Sequence, residues 1–510
     1  MSAPTTTTAD APHVGTPTGT PTDVETVVVG AGFAGIGTAV RLARAGRTDF
    51  VVLERGDGVG GTWRDNSYPG VGCDVPSHLY SYSFRPRAGW SAVFAPGEEI
   101  REYLEATVED EGIGPHLRLG TEVRSMRWDD VESRWYVTSS AGVFRCVALV
   151  VCAGRLSEPR MPAARGLETF AGPVFHSARW DHSVVTAGAR VGVVGSGASA
   201  VQILPQVAGD ASEVVLFQRS APYVVPRGNR TYSEAERRGL ERVPGAVERL
   251  RSRLFWEMEQ GLAARHTVPG FVDRLRETAL GHLAAQVPDP ALRETLTPDY
   301  EIGCKRVLLS DDYYPAVASP TVTVVPAALK EVHGSTVVAA DGSTHELDVL
   351  ILATGFVSTR PPWAEHVVGR DGSTLAQHWS TGMSAYASTS VHGFPNLFVI
   401  NGPQASLGHN SAVFMIETQI EHVLGALDHV RSHGVVEATR EAEESYSAWL
   451  DEAGAGTVWR TGGCTSWYRD DRNGRLTLLW PDFAFTFRER YGRFDPDGYG
   501  LAATADGVAG

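Results

Sequence analysis

The residues of this 510-residue chain best suited to chemistry gather around two glycine-rich turns. The first, Gly30-Ala31-Gly32-Phe33-Ala34-Gly35, follows the apolar run Thr26-Val27-Val28-Val29. The second, Gly195-Ser196-Gly197-Ala198-Ser199-Ala200, follows Val191-Gly192-Val193-Val194. A turn of this spacing between a strand and a helix lets the backbone approach a pyrophosphate and aims helix N–H groups at it. The residues that close the next strands differ in sign. Glu54 lies 24 positions after Gly30, and Arg219, followed by Ser220, lies 24 positions after Gly195. A carboxylate there accepts hydrogen bonds from ribose hydroxyls, whereas a guanidinium suits a 2′-phosphate. The chain is therefore expected to hold two dinucleotides, one with a free ribose, such as FAD, and NADPH. Hydride would pass from NADPH to the flavin.

Lysine usage singles out another pair. Of 45 basic residues only Lys305 and Lys330 are lysines, and Lys305 directly precedes Arg306. An ammonium is a compact phosphate binder, while a guanidinium is a planar, permanently charged donor. Taken alone, the pair reads as a solvated surface feature. Two longer segments change that reading. Gly60-Gly61-Thr62-Trp63 continues through Tyr68-Pro69-Gly70 to Asp74, and Phe170-Ala171-Gly172 continues through His176 to Trp180. The first resembles the GGxWxxxxYPGxxxD motif of Baeyer–Villiger monooxygenases. The second matches that family's FxGxxxHxxxW signature at each fixed position, with Trp180 where the related heteroatom monooxygenases usually carry Tyr or Phe. The resemblance runs from Val24 to about Tyr499.

That resemblance implies an NADPH- and O₂-dependent enzyme in which NADPH reduces FAD and a C4a-peroxyflavin converts a ketone to an ester or lactone. It implies Arg306 as the catalytic charge at the flavin, Asp74 as the partner that orients it, and Lys305 near the 2′-phosphate. Thr62, Trp63, Tyr80 and Val123 are implied FAD contacts, and His176 and Trp180 positioners of the interdomain linker. The loop at Gln404-Ala405 departs from the commoner family pattern of Asn-Thr after Gly-Pro, and Trp480 does not align clearly with a C-terminal tryptophan that reaches the cofactor. Two other classes stay open: oxygenation of amines or sulfides, and a non-oxygenating FAD-dependent reductase. A disulfide reductase would need a closely spaced redox pair, and Cys73, Cys146, Cys152, Cys304 and Cys464 provide no CxxC and no metal-ligand spacing.

The elements that must position these residues alternate between strand and helix. The expected fold is α/β, with two Rossmann-like dinucleotide-binding domains and a helical insertion. Residues 24–160 and 357–500 form the expected FAD domain, and 161–230 with 300–356 the NADPH domain. The insertion occupies 231–299, where Leu250, Leu254, Met258 and Leu262 recur every fourth residue, as do Leu275, Ala279 and Leu283. This spacing predicts core-facing helices. Glu248, Arg249, Arg251, Arg253, Glu257 and Glu259 read as their solvated face. Gly142 reads as the turn of a hairpin, and Asp348 to Gly355 as a buried strand ending in a tight turn.

Composition narrows the partners. A net charge of −15 argues against non-specific nucleic-acid binding. Apolar runs such as Cys146 to Ala153 are too short to span a bilayer. Residues 1–23 lack the basic start and apolar centre of a signal peptide and read as a disordered tail. An odd cysteine count suits a reducing cytoplasm. The expected partners are O₂ and a small ketone, whose identity the residues leave open along with the oligomeric state.

Overall fold

The computed structural model describes residues 20–502, so residues 1–19 of the stretch read as a tail lie outside the described residues. Thr22 and Asp23, read as the end of that tail, instead begin the first strand by pairing with Phe144 and Arg145. Two sheets carry the fold, and each is organised around a strand with parallel neighbours on both sides. In the first, strand Thr22–Val29 pairs with Phe50–Leu53 on one edge and with Gly142–Val151 on the other. Val27 and Val28 are fully buried in separate clusters on the two faces. An unbroken valine run is what a parallel strand covered on both faces requires.

Strand Gly142–Val151 changes partners along its length. Its first half is antiparallel to Arg134–Ser139 through a hairpin, and Gly142 takes a φ of +120°, which favours glycine. Its last three residues pair in parallel with Leu397–Val399, which returns the C-terminal part of the chain to the first sheet. The second sheet has the order Val322–Val325, Glu213–Phe217, Arg190–Val194, Val349–Leu352, Val174–His176, all parallel. In both sheets the glycine turn follows the strand where the chain order reverses, the place where open α/β sheets leave a crevice.

Helices Glu234–Arg242, Ala246–Glu259, Gly261–Arg265, Phe271–Gln286 and Pro290–Thr295 form the insertion. Leu262, Ala279 and Leu283 are buried, as the helical spacing predicts. The reading of its charges needs correction at two positions. Glu259 is only 2% exposed, and accepts hydrogen bonds from Asn410 Nδ2 at 2.6 Å and the Ala484 amide at 3.0 Å, with His409 Nε2 at 3.1 Å. Arg251 turns inward and donates to the Ser81 hydroxyl at 2.7 Å and the Ser81 carbonyl at 3.0 Å. Periodicity along one helix says nothing of polar partners arriving from distant segments. No helix among the described residues is long and apolar enough to cross a membrane.

Candidate active site

Both glycine turns open onto one cavity of about 1790 Å³. At Gly30 (φ +102°) a Cβ would sit 2.6 Å from the Cys152 carbonyl oxygen, and at Gly195 (φ +122°) 2.3 Å from that of Ala353. Only glycine permits either turn. A Cβ on Gly197 would meet nothing within 4 Å, because it would point into open space. Helices Phe33–Arg44 and Ala198–Ala208 begin at Gly32 and Gly197 without side-chain caps, so their first-turn N–H groups face the cavity unclaimed by a capping side chain. Gly35 is a correction to the expected cofactor contacts: it does not line the cavity. A Cβ there would lie 1.8 Å from the Gly30 carbonyl oxygen, so this glycine lets helix and turn pack.

The charges beside the turns differ as expected. Glu54, 5% exposed, accepts hydrogen bonds from the Ala31 amide at 2.8 Å, the Gly56 amide at 2.7 Å and Arg64 Nη1 at 2.8 Å. This fixes a carboxylate at the end of the first unit. Beside the second, Lys305 Nζ donates to the Ser220 hydroxyl at 2.5 Å and lies 4.6 Å over the Tyr300 ring. Burial, and then the Arg219 charge, lower the Lys305 pKa. Neither Arg219 nor Lys305 has a carboxylate within ion-pair distance among the described residues, so both cations face the cavity without a direct ion pair.

Asp74 and Arg306, 232 positions apart in the chain, meet in the same cavity. Arg306 Nε donates to Asp74 Oδ2 at 2.5 Å and Nη2 to Oδ1 at 2.7 Å. Burial alone would push the Asp74 carboxyl up, but the facing Arg306 guanidinium and its hydrogen bonds, with a smaller share from Arg227, hold it below the usual range. Burial likewise opposes the charge of Arg306, and Asp74 reverses that, raising its pKa well above the ordinary value.

The motif that ends at Asp74 docks the two units together. The Tyr68 hydroxyl donates to Gln202 Oε1 at 2.8 Å, and Gln202 Nε2 donates to the Gly72 carbonyl at 2.9 Å. Gly70 (φ +82°) passes so close that a Cβ would lie 2.6 Å from the Gln202 carbonyl oxygen. Trp63 and Tyr80 line the cavity edge to face, 5.6 Å between centroids, with Phe33 5.0 Å from Tyr80. Gly32, Thr62, Val123, Gly195 and Ser199 also lie on the wall.

His176 and Trp180 do not line the cavity. His176 Nδ1 accepts from the Ala178 amide at 3.1 Å, and its ring packs on Phe356, a wall residue, at 5.6 Å. Trp180 packs edge to face on Phe175 at 5.0 Å. Trp480 is fully buried, donating its indole N–H to the Phe483 carbonyl at 2.8 Å, and Gln404 and Ala405 are buried away from the wall.

Nearer the C-terminus, Trp467 lines the cavity, as Trp63 and Trp363 do. It follows Cys464, which is joined by a disulfide to Cys304, immediately before Lys305. The reading of no CxxC pair is unaffected, and a bridge between partners 160 positions apart leaves no spacing signal. Sequence reasoning also passed over Arg155 and Asn401, both on the wall. The one available signal for Arg155 was its place after the Ala153-Gly154 turn.

Two bare backbone turns, two uncapped helix starts, a buried carboxylate by one and a cation pair by the other fit two dinucleotides. Such a fold and site define a two-nucleotide oxidoreductase. Consistently, a family model described as pyridine nucleotide-disulphide oxidoreductase matches residues 27–233. The chain is 45% identical over 494 residues to a Baeyer–Villiger monooxygenase of Streptomyces coelicolor (strain ATCC BAA-471 / A3(2) / M145), covering 96% of this chain and 94% of the relative. Among solved structures, cyclohexanone monooxygenase from Rhodococcus sp. Phi1 bound to NADP+ superposes with a TM-score of 0.84 at 28% identity, covering 95% and 100% of the two chains. A complex of OTEMO with FAD and NADP gives 0.82 at 28% identity, covering 96% and 100%. The chain belongs to the Baeyer–Villiger monooxygenase family.

Proposed function

We propose that the cavity is the reaction chamber of an FAD- and NADPH-dependent Baeyer–Villiger monooxygenase acting on a small ketone. Ketone, O₂, NADPH and a proton give an ester or lactone, NADP+ and water. Bound FAD supplies oxygen activation and NADPH the hydride. The observation that carries the reading is the bidentate Asp74–Arg306 pair on the wall shared by both nucleotide turns. Arg306 presents a permanent positive charge where anionic charge develops during oxygen insertion, and Asp74 fixes the plane of the guanidinium.

Residues 24–160 with 357–500 are assigned to FAD. The N-terminus of helix Phe33–Arg44, with Gly30 and Gly32, takes its pyrophosphate, and Glu54 its ribose. Thr62, Trp63, Tyr80 and Val123 wall the remainder. Residues 161–230 with 300–356 are assigned to NADPH, with the backbone at Gly195, Gly197 and Ser199 on its pyrophosphate. Arg219, Ser220 and Lys305 surround its 2′-phosphate. Segment 231–299 is assigned as a helical insertion in the NADPH unit. An NADPH-consuming oxygenase draws on the cytoplasmic nucleotide pool, and the cytoplasm is the proposed location.

The test is product analysis of the holoenzyme with NADPH and O₂ against cyclic, linear and aryl ketones, with a thioether as comparison. NADPH-dependent ester or lactone carrying one ¹⁸O from ¹⁸O₂ is expected. NADPH consumption yielding only hydrogen peroxide, or only sulfoxide, overturns the reading.

A further inference from the structure

Arg155 is a second guanidinium on the wall of the same cavity, and the fold holds it without a counter-charge. Among the described residues no carboxylate lies within ion-pair distance of it. Its Nε is buried with no hydrogen-bond partner, and its Nη1 donates to the neutral Oδ1 of Asn401. Asn401 is itself placed with care. It adopts a left-handed φ of +58°, and its amide donates to Gln419 Oε1 at 2.9 Å. Gln419 is 1% exposed, and its Nε2 donates to the Ser388 carbonyl at 2.7 Å, anchoring the arrangement in the core. A buried amide and a strained asparagine thus hold one arginine in place.

An unpaired cation away from bulk water is unfavourable unless an anion joins it. Burial, with Arg306 nearby, lowers the Arg155 pKa to about 10, which still leaves it charged at neutral pH. Arg306 differs in one respect. Its charge is already matched by Asp74 through two hydrogen bonds, so that pair brings little net charge to the chamber. Arg155 adds to the wall a positive charge that no carboxylate within ion-pair distance matches among the described residues.

We propose that Arg155 is an oxyanion-binding residue of the chamber, distinct from the nucleotide phosphate sites. The oxyanion has two sources of the same chemistry: a carboxylate carried by the ketone, or the oxygen anion that develops during insertion. The second source rests on the Baeyer–Villiger reading, whereas anion binding itself does not.

The experiment uses the FAD-loaded full chain with and without Arg155→Gln and Arg155→Lys. Acetate serves as a non-reactive carboxylate probe, its dissociation constant read from the perturbation of flavin absorbance. Arg155→Gln is expected to weaken acetate about tenfold or more, and Arg155→Lys to restore part of the loss, because the charge returns without the planar fork. The dissociation constant of NADP+ should change by less than twofold. A kinetic arm compares kcat/KM for 4-oxopentanoate and its methyl ester. Loss confined to the acid assigns the anion to the substrate, and equal loss for both assigns it to the reaction. Acetate binding equal in parent and Arg155→Gln, at equal FAD content and thermal stability, overturns the proposal. So does a parent that acetate does not perturb. Neither result touches the proposed ketone oxidation, which the product assay tests separately.

Discussion

Removing Asp74, Arg306 or both should show that the two act as one device. In the parent, two charge-assisted hydrogen bonds of 2.5 and 2.7 Å fix the guanidinium plane, and the side chains keep 28% and 26% exposure. Arg306→Ala removes the positioned charge, a loss of roughly 10²–10³ in rate, or about 3–4 kcal/mol of barrier. Asp74→Ala leaves that charge present but unoriented, on a long side chain free to swing. The loss should be smaller, roughly 10- to 100-fold, or about 1.4–2.7 kcal/mol. Once Arg306 is gone, Asp74 has no guanidinium to orient, so the double variant should be about as slow as Arg306→Ala alone. The two losses then fail to add by about the whole Asp74 effect. The assay is ester formed per NADPH consumed, with hydrogen peroxide release, FAD content and melting temperature as controls. Losses that multiply in the double variant would refute the orienting role of Asp74. If Arg306→Ala couples NADPH to ester as the parent does, another cation carries the charge.

Arg219→Ala should raise the KM for NADPH about tenfold or more and leave NADH nearly unchanged, since a charge-assisted phosphate contact contributes about 1.5–3 kcal/mol; equal effects on both coenzymes would remove Arg219 from the 2′-phosphate. Gly32→Val should yield colourless protein, because the Cβ already sits 3.5 Å from Gly61 Cα and a valine's branches reach where the pyrophosphate must approach; normal flavin content would show the pocket to be misplaced. Burial pushes the His422 imidazole down to about 4, with Nδ1 donating to the Tyr491 carbonyl at 3.0 Å and the Tyr499 hydroxyl 2.6 Å from Nε2. The unfolded chain, with a histidine pKa of about 6.5, takes up this proton first, so stability falls as pH drops from about 6.5 toward 4, by about 2 kcal/mol per such histidine at pH 5. His422→Gln should flatten the denaturant midpoint against pH over that window, with His78, also held at about 4, keeping the remaining slope; an unchanged slope would exclude His422 as the group.

What could be read from the chain follows from where each constraint acts. The glycine turns were legible because close backbone approach acts within a few residues: Gly30 and Gly195 face carbonyl oxygens that a Cβ would strike at 2.6 and 2.3 Å. Valine runs gave the two sheets for the same reason, since burial on both faces is a property of the strand itself. Asp74 and Arg306 were brought together only through the family resemblance, because nothing local links positions 232 apart. Where no motif spans the gap, reading along the chain failed. Glu259 sat among solvated charges by periodicity, yet its partners are Asn410 and Ala484. Trp480, which did not align clearly with the family's C-terminal tryptophan, proved to be core, while Trp467 reached the wall. Arg155 is the sharpest instance. Its type and its place after a small-residue turn were visible, but its significance lies in having no carboxylate within ion-pair distance among the described residues, and a missing partner is a fact of three dimensions.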